Sequence, residues 1–193
     1  MKIRQIIYVI FAIALSACHD DFAPKKREFQ RIELPKKTYT VFKTPCNYQF
    51  EIPQYAVVVP DTADKKAEPC WYNIEYPQYR ATLHLSYKNV GDSPKKLMEM
   101  INDQRTLVYK HSVKADEITE GAFKTNNGNV GIIYELFGNT ATWYQFYLTD
   151  QKKHFIRAAL YFNTQTDADS VEPVFKFLRA DAEHLIQSIN WNK

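Results

Sequence analysis

The chain has 193 residues, with 25 basic and 22 acidic side chains and a formal charge of +3. That length supports one domain with a substantial core, the near balance of charge leaves no nucleic-acid footprint, and 5 glycines leave little from which to build a phosphate-cradling loop. Aromatic content is the unusual figure at 15%, with 13 Tyr and 12 Phe, which on strands build core and sheet surface.

The opening MKIRQIIYVIFAIALSAC places Lys2 and Arg4 before an apolar run from Ile6 to Leu15. This run is short of the roughly 20 residues of a bilayer span and reads as a signal peptide. Leu15-Ser16-Ala17-Cys18 has the order of a bacterial lipobox, which predicts cleavage before Cys18 and acylation of its thiol and new amino terminus. A retained helix or an ordinary cut near Ala17 are the alternatives. Several acyl chains anchor far more firmly than one.

Residues 18–40 mix charge with two prolines and no sustained period, as a tether does, with a short edge strand expected around FQRIEL. Lys25, Lys26 and Arg27 suit either anionic headgroups or a solvated linker. Residues 41–193 are expected to form a single globular domain. Cys46 and Cys70 remain once Cys18 is acylated, and in an exported protein they read as a disulfide. Such a bridge is worth roughly 3 kcal/mol in the chain-entropy model; two separately buried thiols are the alternative.

YQFEIPQYAVVVP and WYNIEYPQYRATLHLSYK alternate as half-buried strands do, with proline at the turns. In the second, Leu83 and Leu85 share one face, while His84, Ser86 and Lys88 share a wet one. A helix is predicted next, with Ser93 as N-cap, Pro94 at its first position, and Leu97, Met100/Ile101, Gln104 and Leu107/Val108 at helical spacing. NNGN then marks a hairpin. TATWYQFYLT and HFIRAALYFN, joined by DQKK, are apolar enough to lie at a sheet centre beneath a helix. A last helix is predicted from about Ser170 to Ile189, with Asp169 as cap, Pro173 in the first turn, and Val174, Phe177/Leu178, Leu185 and Ile189 buried. The pattern predicts an α+β fold, an antiparallel sheet covered by two helices. Its order of elements resembles the Mog1/PsbP type of sandwich.

No GxSxG elbow, HExxH, glycine-rich phosphate loop or Cys/His metal spacing is present, so no catalytic residue, metal, cofactor or small-molecule substrate is expected. His84, His111, His154 and His184 are scattered along the sequence. Between Arg105 and Asp116, RTLVYKHSVKAD gathers Arg105, Tyr109, Lys110, His111 and Lys114 near a helix end. If the helix runs on, these form a cationic, aromatic patch; a solvated basic face is the alternative. The expected partner-binding surface combines His84, Ser86 and Lys88 with Arg105, Tyr109, Lys110 and Lys114.

YQFEIPQYA, CWYNIEYPQYRATLHLSYK, RTLVYKHSVKADEI and QFYLTDQKKHFIRAALYFNTQTDADSVEPV, in this order from about Phe29 to Trp191, resemble the gliding-motility lipoprotein GldD family. That resemblance implies an envelope lipoprotein of gliding motility and the associated type IX protein secretion, with no accepted enzymatic activity and no assigned active site. Two acidic residues behind Cys18 resemble a lipoprotein surface-export tag, although His19 departs from it; outer-membrane attachment is expected, with the leaflet open. The function expected is a non-enzymatic, membrane-anchored accessory that contacts protein partners, and an envelope glycan- or lipid-binding module is the alternative.

Overall fold

A computed structural model describes residues 34–62, 68–163 and 168–191. The signal peptide, Cys18, the basic cluster at 25–27 and nearly all of FQRIEL lie outside the described residues. None of the helices among the described residues is long and apolar enough to cross a membrane.

Among the described residues, ten strands and two α-helices build an α+β fold in which every strand pair is antiparallel. The strands are β1 (Tyr39–Lys43), β2 (Tyr48–Pro53), β3 (Val57–Pro60), β4 (Tyr72–Tyr76), β5 (Ala81–Asn89), β6 (Ala115–Lys124), β7 (Val130–Gly138), β8 (Thr142–Thr149), β9 (His154–Phe162) and β10 (Asn190–Trp191). Helix α1 (Pro94–Tyr109) lies between β5 and β6, and α2 (Ala168–Ser188) between β9 and β10. The large sheet has the order β3-β4-β5-β9-β8-β7-β6, and a small one the order β1-β2-β10. The two strands expected at the centre are β8 and β9, and β9 is the middle strand of seven.

Alternation divides the large sheet into two faces. Leu83, Leu85, Phe146, Leu148, Ile156 and Leu160 point to one side, where α2 and the small sheet's Tyr48 and Phe50 bury them. Each such side chain contributes roughly 1.5–3 kcal/mol of transfer free energy. On the other side α1 seals Tyr134, Leu136, Tyr147 and Phe155 with Val108. Its contacts fall on β8 and β9, and the β4–β5 end of this face keeps an exposed His84 and half-buried Asn73 and Ser86.

Local chemistry sets most boundaries. Ser93 Oγ accepts from the Lys96 amide, capping α1 ahead of Pro94. At the other end the helix tightens into a 3-10 turn over Lys110–Val113, so Lys114 does not continue the α-helical run on which it was expected. In the β8–β9 turn, Asp150 Oδ1 accepts from the amides of Lys152, Lys153 and His154 at 2.9 Å each.

Two expectations are corrected. Helix α2 begins at Ala168, so Asp169 lies inside it and Pro173 falls in its second turn, where it removes the bond to the Asp169 carbonyl. The buried stripe Val171, Val174, Phe175, Leu178, Ala182 and Leu185 holds the helix despite that loss. Part of the stretch read as tether also belongs to the domain, because Tyr39 and Thr40 lie in β1 and Lys37 is bonded to α2. A disulfide joins Cys46 to Cys70 with Cα atoms 6.1 Å apart, and Tyr48 donates to the Cys70 carbonyl beside it.

Candidate functional site

Strand register assembles the main cleft. Asn73 pairs with His84, His84 with Ala159, Ala159 with Gln145, and Gln145 with Tyr134, so one row crosses β4, β5, β9, β8 and β7. Ala159, the smallest side chain of this row, leaves a depression between His84 and Gln145. Helix α1 overhangs it with Gln104, Leu107 and Lys110, enclosing a cleft of about 580 Å³. Trp71, Ser86, His111, Tyr161, Asp61 and Arg157 complete the lining.

The floor is polar and carries one cationic side chain, Arg157, which stands in register with Ser86 and Tyr147. Gln104 and Gln145 are both almost wholly buried, and Gln104 Nε2 donates to Gln145 Oε1 at a long 3.4 Å. Gln145 Nε2 is buried and finds no partner among the described residues. His84 Nδ1 meets Asn73 Oδ1 at 2.7 Å, and its ring stands edge-on to Tyr161 at 5.3 Å. Packing of the imidazole lowers its pKa, against the pull of Asp61 and Glu75; burial also lowers that of His111. Both rings favour the neutral form. At the mouth, Trp71 Nε1 donates to the Tyr87 carbonyl at 2.9 Å and Lys88 Nζ stands 5.2 Å from the indole centre.

The surface expected from sequence is divided by this geometry. His84, Ser86 and Lys110 line the cleft, whereas Lys88 sits beside it and pairs with Glu68. Arg105 and Tyr109 lie elsewhere on α1, bound to β6: Tyr109 donates to Glu120 at 2.7 Å, and Arg105 approaches the same carboxylate at 3.7 Å and the Tyr109 ring at 5.6 Å. Lys114 is exposed beyond the 3-10 turn. Chemically the cleft suits recognition. No group of three His, Cys, Asp or Glu among the described residues is arranged to hold a metal.

A second polar cluster went unread in the sequence. Asp181, buried in the middle of α2, accepts from Lys37 Nζ at 2.5 Å, Tyr39 Oη at 2.9 Å and Tyr55 Oη at 2.5 Å. Lys37 also donates to the Phe177 carbonyl at 2.8 Å and lies 3.7 Å from the Phe177 ring centre. Burial first, then the Asp181 carboxylate, push both phenols above the ordinary tyrosine range. Tyr39 further stacks on His184 at 3.6 Å, whose Nε2 meets Glu51 at 2.6 Å. These contacts rivet the segment entering the fold to its last helix.

An antiparallel α+β domain with a polar, aromatic-walled cleft and a first strand riveted to its last helix defines the class. The chain belongs to the gliding motility lipoprotein GldD family, which it matches over residues 19–191. It is therefore a gliding motility lipoprotein, a membrane-anchored protein of the cell envelope. No individual curated protein matches it.

Proposed function

We propose that this lipoprotein is a non-catalytic accessory of the gliding apparatus and of the type IX protein secretion associated with it. It is held by acyl chains on Cys18, in the outer membrane, and works by contact with other proteins of that machinery. The observation that carries this reading is the family match, which begins at residue 19 directly behind the lipobox cysteine and spans the whole domain. In this arrangement residues 1–17 are the leader and residues 18 to about 36 the spacer. The rivet at Asp181 supports it, because it makes the first strand a firm attachment for a pull arriving from the membrane. The partner surface is the cleft mouth at His84, Ser86 and Lys110 with neighbouring Lys88, flanked by Arg105, Tyr109 and Lys114 around the end of α1.

Gene deletion followed by restoration with wild type or Cys18→Ala tests the proposal through release of a type IX cargo and colony spreading. Loss of both, rescued by the lipidated form alone, is expected. Full rescue by an unlipidated, correctly folded protein removes the anchor from the mechanism, and undisturbed cargo release removes the secretion role.

A further inference from the structure

We propose that the cleft between α1 and the outer face of β4, β5, β9 and β8 is a carbohydrate-binding site for a neutral, hydroxyl-rich sugar unit, with Gln145 Nε2 donating to a sugar oxygen at its floor. This goes beyond contact with a protein partner and stands on the cleft alone.

Buried amide groups rarely go unpaired, since an unmet donor forfeits the hydrogen bond it made to water. Gln145 Nε2 is such a donor, and its side chain lines the cleft in a residue only 4% exposed. The neighbouring Oε1 accepts from Gln104 and keeps a second lone pair, whereas Nε2 has no acceptor among the described residues, so the bond this amide lacks is one that the nitrogen gives. A ligand oxygen in the cleft satisfies it.

The rest of the floor narrows the chemistry. Gln104 and Gln145 at the floor, with Asn73, Ser86 and a neutral His84 toward the mouth, each offer donor and acceptor character, the complement of sugar hydroxyls, which both give and accept. Trp71 and Tyr161 add broad apolar surfaces with polar edges, suited to the C–H faces of a pyranose. Charges of both signs line the cleft, Asp61 together with Lys110 and Arg157, so no single-sign field selects an ion. An acyl chain would leave Gln145 Nε2 without a hydrogen bond. The volume of about 580 Å³ falls within the range of small-ligand sites.

The test uses the full lipidated protein in a detergent without a sugar headgroup. Saturation-transfer NMR and calorimetry are run with glucose, galactose, mannose and N-acetylglucosamine, then with soluble cell-wall fragments and with the oligosaccharide of delipidated lipopolysaccharide. Saturable binding of at least one probe is expected, weakened about tenfold or more by Gln145→Leu, which deletes the floor donor, and weakened also by His84→Ala at the exposed rim. Binding confined to cell-wall fragments assigns the sugar to the wall, and binding confined to the lipopolysaccharide oligosaccharide assigns it to the outer leaflet; both uphold the site. Absence of saturable binding across the panel up to roughly 20 mM overturns the proposal, as does binding that survives both substitutions. If Gln145→Leu fails to fold, His84→Ala decides.

Discussion

Replacing Asp181 with alanine is expected to cost about 3–5 kcal/mol, the loss found when one partner of a buried ion pair is removed. Asp181 has no exposed side-chain surface, while Lys37 is 27% exposed. Three donors converge on its carboxylate, and hydrogen bonds to a charged acceptor net about 1.5–3 kcal/mol each. Their simple sum is a ceiling, because the Lys37 ammonium at the edge returns to water once its partner is gone, and exposed ion pairs contribute little. The two phenols regain only part of their bonding, which leaves the loss in the stated range. Against a typical total of about 5–15 kcal/mol this is a large fraction, equivalent to roughly 10 °C in melting temperature for a domain of this size. Lys37→Met leaves the carboxylate with both phenols and is expected to cost about 1–2 kcal/mol. Urea unfolding of the two single variants and the double variant gives the coupling, expected to be at least about 1 kcal/mol. Limited proteolysis should show earlier cleavage between residues 34 and 39 in both single variants. A loss below about 1 kcal/mol for Asp181→Ala, with no change in cleavage, refutes the claim that this cluster fastens the entry segment.

Gln145→Leu removes one unpaired buried donor but takes the acceptor from Gln104 Nε2, so the two effects offset and stability should change by less than about 1 kcal/mol; a urea-measured loss above about 2 kcal/mol would show that the amide is satisfied in solution. Removing the disulfide with Cys46→Ala and Cys70→Ala together is expected to cost about 3 kcal/mol, and chemical denaturation of the oxidised protein against this variant measures it. Burial lowers the pKa of His154 from its ordinary 6.5, opposed by Asp150 and Asp92 and helped by Lys153. A base whose folded pKa is depressed binds its proton more readily when unfolded, so this contribution to stability is present above about pH 6.5 and is lost as the pH falls through the lower folded value. His154→Gln should flatten the decline in urea midpoint between pH 7.5 and pH 5, and an unchanged slope assigns it to other groups.

Much of the framework was legible because it rests on local chemistry. Alternation in ATLHLSYK placed Leu83 and Leu85 inward and His84 outward, Ser93-Pro94 fixed the start of α1, and Asp150 and the NNGN turn fixed two hairpins. The cleft was not legible, because it arises from register between strands far apart in sequence. Gln104 was recognised on the inward stripe of α1, but nothing local says that Gln145 lies beneath it. The expected partner surface joined the wet face of β5 to the end of α1, whereas the fold takes Lys110 to the cleft and Arg105 and Tyr109 to β6. Asp181 did leave a signal. It stands three residues after Leu178 and four before Leu185, a carboxylate at a core position of an amphipathic helix, which calls for buried donors. Those donors, Lys37, Tyr39 and Tyr55, lie too far away in sequence to be paired with it by inspection, and the first two fell in a stretch dismissed as tether.

Strand β2 has β1 on one side and β10 on the other, so its Gln49 pairs with both Lys43 and Asn190. Trp191 seals the arrangement by stacking on His154 at 4.6 Å and donating to Asn129 at 2.6 Å. The five β1–β2 pairs join residues close in sequence, whereas the two β2–β10 pairs join residues at opposite ends of the described domain. One strand thus carries a local and a long-range pairing, so that loosening β10 exposes an edge of β2 while leaving β1 in place.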